Sequence, residues 1–120
     1  MEKTQFINYK GKKVLVEDFT NLKAGPEFTN FILQAQTIIA RQPPKSVLAV
    51  FDATGSTFDS NILNNMKEFT KANTPYIKAS AVVGINGLLN VALVAVAKFS
   101  GRDFVTFKTR NEALDWLITH

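Results

Sequence analysis

The sequence predicts a small α/β fold built on a mixed, mostly parallel sheet, within one domain spanning residues 1–120. Three observations predict it. Short strand-like runs alternate with longer segments whose apolar residues recur at steps of three and four, so most neighbouring strands are joined by crossover helices and run parallel. Val47-Leu48-Ala49-Val50-Phe51 is apolar throughout and bounded by breakers, as a strand covered on both faces would be. Two short runs flank Gly11 near the start, the pattern of a hairpin, which adds an antiparallel pair. The expected order is ββαβαβαβα, about five strands and about four helices, with right-handed connections and helices on both faces.

Each element has its own justification. Phe6–Tyr9 and Val14–Asp18 form the hairpin around Gly11. Ala24–Arg41 reads as a helix, with Pro26 in the first turn, where a missing N–H costs nothing, and Phe28, Phe31, Ile32, Ala35, Ile38 and Ile39 on one face. Pro43-Pro44 stops that helix, and the Val47–Phe51 strand then ends at Asp52. After the loop Thr54–Thr57, a second helix runs to about Asn73 on Phe58, Ile62, Met66 and Phe69, its start marked by the S-x-x-D spacing of Ser56 and Asp59. Pro75 precedes a strand from Tyr76 to Val83, and Gly84–Gly87 turns the chain into a third helix, Leu88–Phe99. That helix is apolar almost all round, which suits either a place inside the core or an interface. Asp103–Phe107 is the last strand, and Thr109 with Glu112 boxes the start of a final helix bearing Ala113, Leu114, Trp116, Leu117 and Ile118.

Composition narrows the function classes. The chain has no cysteine, which removes disulfides, cysteine zinc sites and thiol chemistry and fits a reducing, cytoplasmic setting. The opening Met1–Phe6 lacks the apolar region of a signal peptide, and Leu88–Ala97 spans only about half of what a bilayer requires, so no membrane insertion is expected. The net charge is +4, but the lysines and arginines are scattered among acids such as Glu17, Asp18, Asp103 and Glu112. Lys98, Arg102, Lys108 and Arg110 read the same way, as solvated surface charge, and nucleic acid is not an expected partner. The sole histidine is the terminal His120, a poor base for a triad because chain ends fray. Asp52 and Asp59 are too few for a metal, so no enzyme activity, metal or cofactor is expected.

Two surfaces remain. Asp52, Thr54 and Ser56 after one strand, and Gly84, Asn86 and Gly87 after the next, lie where open α/β sheets place ligands, and form a candidate small-ligand or anion site. Their glycines match neither a dinucleotide fingerprint nor a P-loop. Leu88, Leu89, Val91, Val94, Val96 and Phe99 form a candidate interface for a protein partner or a second copy.

Several stretches carry a family likeness: Phe51-Asp52-Ala53-Thr54-Gly55 through Leu63, Tyr76–Gly84, the Phe99-Ser100-Gly101-Arg102 turn and the ending Thr109–Leu117. Together they resemble the SpoIIAA-like branch of the STAS family, across nearly the whole chain. The resemblance implies a non-enzymatic regulatory or protein-interaction module. Some members of that family antagonise anti-sigma factors and are switched by phosphorylation of a serine in a D-S-S-G-type motif at a helix start. The nearest match here is Asp59-Ser60-Asn61, which nominates Ser60, without the motif's second serine and glycine. The branch is also loosely related to lipid-binding CRAL-TRIO domains.

Overall fold

Lys10 and Gly11 both adopt positive φ, 49° and 89°, the type I′ geometry whose twist matches that of the strands it joins. In the computed structural model, which describes residues 3–120, this turn links β1 (Thr4–Tyr9) to β2 (Lys12–Asp18) with Tyr9 opposite Lys12. Met1 and Glu2, part of the stretch read for a leader signal, lie outside the described residues. The chain continues through α1 (Pro26–Ile39), β3 (Val47–Asp52), α2 (Ser60–Asn73), a 3-10 turn (Thr74–Tyr76), β4 (Ile77–Val83), α3 (Gly87–Ser100), β5 (Val105–Phe107) and α4 (Arg110–Leu117).

The element order agrees with the sequence reading, and the boundaries shift for local reasons. Asp59 caps α2 by accepting from the Ile62 N–H at 2.8 Å, so the helix starts at Ser60. Ser56 does not cap it; its hydroxyl donates to the Ala53 carbonyl at 2.8 Å and closes the loop instead. Pro75 sits inside the 3-10 turn, which takes up Tyr76 and delays β4 to Ile77. The Thr109 cap is as expected: its hydroxyl accepts from the Glu112 N–H at 3.2 Å and donates to the Glu112 carboxylate at 3.0 Å.

The sheet order is β1-β2-β3-β4-β5, with β1 antiparallel and the other pairs parallel. From β2 onward every step goes the same way. Right-handed crossovers stepping in one direction place their helices on one face, and α1, α2 and α3 share that face, leaving α4 to cover the other. Both faces are covered, three helices against one.

Period-two alternation feeds both layers. Leu15 and Ala49 meet Phe28, Ile32, Ile62 and Phe69 on the three-helix side. Phe19 is fully buried there and packs edge-on to Phe28 with ring centroids 5.3 Å apart. Val14, Val16, Val50 and Ala81 meet Ala113, Leu114 and Leu117 of α4 on the other side. The third helix α3 is attached chiefly through α2. No helix among the described residues is long and apolar enough to cross a membrane.

Candidate functional site

The two loops expected to hold a ligand do meet. Ala53 N–H donates to the Val83 carbonyl at 2.9 Å, and Gly84, at φ +83°, lies so close to Thr54 that a Cβ would overlap its backbone. The polar groups there are spent on one another. Asp52 Oδ1 accepts from the Thr54 N–H at 3.1 Å and its hydroxyl at 2.7 Å, while Oδ2 accepts from Arg110 Nε at 3.1 Å and Nη2 at 2.8 Å. The same Nη2 lies 3.4 Å from Asp18 Oδ1, on the register partner of Asp52. Asn86 Oδ1 caps α3 by accepting from the Leu89 N–H at 3.0 Å, and Gly87 begins that helix in open space. A strand order without reversal also lacks the switch-point crevice in which such loops hold ligands.

The α3 residues separate by helical period. Leu88 and Val91, 70% and 66% exposed, lie with Val94 and Phe99 on the outer side. Leu89 and Val96 are buried against the rest of the chain and drop out of the candidate interface, because steps of three and four put them with Ala92 and Leu93 on the inner side. Phe99 sits beside Lys67 and Lys71 of α2, whose ammonium groups are 5.9 and 5.4 Å from its ring centroid. Ser60 is exposed at the first residue of α2.

A site that the sequence reading did not single out lies beneath α3. A cavity of about 110 Å³ runs between α2 and α3 on one side and β3 and β4 on the other. Small side chains are part of its lining, Ala49 and its register partner Ser80 on the sheet and Ala92 on α3. Phe51, Phe58, Met66, Phe69, Leu89 and Leu93 supply apolar wall. The polar lining includes Glu17 from β2, Ser80 from β4 and Arg102 from the turn after α3.

Glu17 and Arg102 correct the reading of their charges as solvated. Glu17 is 4% exposed; it follows Leu15 and precedes Phe19 at steps of two, so the pleat that buries those residues buries the carboxyl as well. That spacing was the available signal. Arg102 donates through Nη1 to the Thr70 carbonyl at 3.4 Å and through Nη2 to the Ser80 hydroxyl, and its guanidinium lies 4.9 Å from the centroid of the Phe104 ring.

No protein-family model matches the sequence, and no curated protein is similar to it. Among solved structures, an uncharacterised DUF3478-family protein with a SpoIIAA-like fold, from Shewanella loihica PV-4, matches with a TM-score of 0.71. The match covers 95% of this chain and 91% of that one at 16% identity. The fold is SpoIIAA-like. At that identity the likeness carries architecture alone, and the chemistry must be read from this chain.

Within this SpoIIAA-like frame the cavity floor is electrostatically unsettled. Burial pushes the Glu17 carboxyl up to about 7, and the positive charge of Arg102 only partly opposes the shift. Burial likewise lowers the Arg102 guanidinium, with Glu17 opposing. The two form no direct ion pair; the ion pairs among the described residues are Lys10–Asp115, Arg110–Asp18 and Arg110–Asp52. Glu17 Oε2 is buried and has no hydrogen-bond partner among the described residues. Such an atom costs stability until something donates to it. No group of three or more metal-ligating side chains occurs among the described residues. The arrangement can enclose an apolar body, hold a polar end and exchange a proton at Glu17.

Proposed function

We propose that this chain is a cytoplasmic, non-catalytic binding module whose cavity beneath α3 takes up a small apolar molecule. The observation that carries this reading is the apolar cavity itself, walled by aromatic and aliphatic side chains around a few polar groups, the usual make-up of a small-molecule site. The attachment of α3 chiefly to a single helix supports it further, since that helix has little to hold it shut. The test is to fill the space. Ala92→Phe places a ring in the cavity from α3, and loss of toluene binding, followed by amide chemical shifts, is expected with the fold kept. Toluene binding of equal strength in Ala92→Phe would remove the cavity as the site.

A second reading, regulatory docking on a protein partner or self-association, is favoured by the outer face of α3, where Leu88, Val91 and Val94 are exposed together. In that reading Ser60, exposed at the start of α2, is where a phosphoryl group would act, which phosphopeptide mapping of the protein from its own cells checks. An anion or small ligand at the Asp52 and Gly84–Gly87 loops is the weaker proposal, because Asp52 is already bonded to Thr54 and Arg110.

A further inference from the structure

We propose that the cavity takes a small neutral apolar molecule bearing a hydroxyl group, an alcohol or a phenol, with that hydroxyl seated between Glu17 and Arg102. This rests on the reading of the cavity as a ligand site and adds the chemistry of the ligand's polar end.

The floor asks for a group that both donates and accepts. Glu17 Oε2 is buried without a donor. Arg102 uses Nη1 on the Thr70 carbonyl and Nη2 on the Ser80 hydroxyl, and a guanidinium has more N–H groups than those two bonds use. Both residues line the same cavity, yet they make no ion pair with each other. A hydroxyl satisfies both sides at once, donating to Glu17 and accepting from Arg102.

Charge argues against the ionic alternatives. A carboxylate head would be tolerated only beside a protonated Glu17, since burial leaves that carboxyl part-ionised near pH 7 and an ionised one would set two negative charges together, while an ammonium head would face Arg102. Each would be stripped of water in exchange for one partner of opposite charge with a group of like charge beside it. A ligand without a polar end would leave Oε2 unpartnered and would displace any water that serves it.

Size and wall fix the apolar part. An apolar cavity of roughly 150 Å³ holds benzene, so about 110 Å³ here takes a short alkyl chain as it stands and a ring once α3 moves slightly outward. Phe51, Phe58, Phe69 and Phe104 line the space, and aromatic walls favour a ring in offset or edge-on contact.

The experiment uses four probes of one shape on the full chain: toluene, benzyl alcohol, benzoate and benzylammonium. Each is titrated at pH 7 while the amide shifts of Val82 and Leu89, which line the cavity, are followed. Benzyl alcohol is expected to bind about tenfold tighter than toluene, as a hydrogen bond to a charged group implies, and tighter than either ion. Arg102→Met and Glu17→Leu are each expected to erase that preference while toluene binding persists. If toluene equals or exceeds benzyl alcohol, or if benzoate or benzylammonium binds tightest, the hydroxyl assignment is overturned and the cavity reading stands. If a folded variant keeps the full preference, the seat between Glu17 and Arg102 is overturned. If no probe moves either amide at millimolar concentration, the cavity holds only water and both readings fall. Should the variants not fold, the comparison of probes on the unaltered chain still decides the hydroxyl.

Discussion

Glu17 lies on a strand between two core residues of the same face, and its carboxyl follows them out of water. Its pKa rises from 4.5 unfolded to about 7 folded, so between those values the folded chain keeps a proton that the unfolded chain has released. The protonated group's contribution is fully present below pH 4.5 and is lost as pH climbs through 7, a loss of about 3 kcal/mol across the window. Urea unfolding should therefore show stability falling from pH 5 to pH 8 in the native chain. Glu17→Gln should flatten that fall and be the more stable protein at pH 8. Parallel curves for the two proteins would mean that Glu17 is ionised and solvated in the fold. Arg110 is the contrasting residue: its one positive charge bridges Asp52 and Asp18 and pins the first turn of α4 to the ends of β2 and β3. Asp18 is held low, since the Thr20 hydrogen bonds and Arg110 outweigh the effect of burial.

Among the elements, α3 stands apart. A helix apolar on all sides usually lies inside a core, yet Leu88 and Val91 project outward while Leu89 and Val96 close over the cavity. The cap is sound, with Asn86 accepting from the Leu89 N–H, so the exposure is a property of the packing and not of a frayed end. If the outer face is an interface, light scattering at rising concentration should give a mass above the monomer for the native chain. Val91→Glu should return the monomer with unchanged helicity, since a substitution at so exposed a site shifts stability by about 0.5 kcal/mol or less. A native chain that stays monomeric at every concentration would end the self-association reading and leave a different partner.

For the whole molecule, the one-directional strand order is the governing fact. It stacks three helices on one face, and the last of them, α3, meets the layer mainly through α2. Native-state hydrogen exchange should accordingly show α3 opening at a lower free energy than β3, whose Val47 and Val50 are buried in opposite layers. A ligand in the cavity should narrow that difference by bridging α3 to the sheet. Equal protection of α3 and β3 in the free chain would show that the cavity is closed by the global fold.

Much of this architecture was legible in the residues. Gly11 between two strand patterns, the apolar Val47–Phe51 run, the prolines at 26, 43 and 44 and the Thr109–Glu112 box are local signals, each acting within a few residues. Such signals determined the order of elements, the mixed sheet and the inner faces of α1 and α2, while α3, apolar almost all round, kept its orientation hidden until the packing was seen. They could not determine the cavity. Its polar lining includes residues 17, 80 and 102, from β2, β4 and the turn after α3, which meet only once the sheet order and the common helix face are set. The steps of two from Leu15 through Glu17 to Phe19 mark the face that is buried, but what packs over Glu17 and Arg102 comes from far along the chain and has no signal near either residue. The same holds for the loops at Asp52 and Gly84. Their proximity followed from parallel strands, but only the tertiary structure decided that Arg110, far along the chain, would take the carboxylate first.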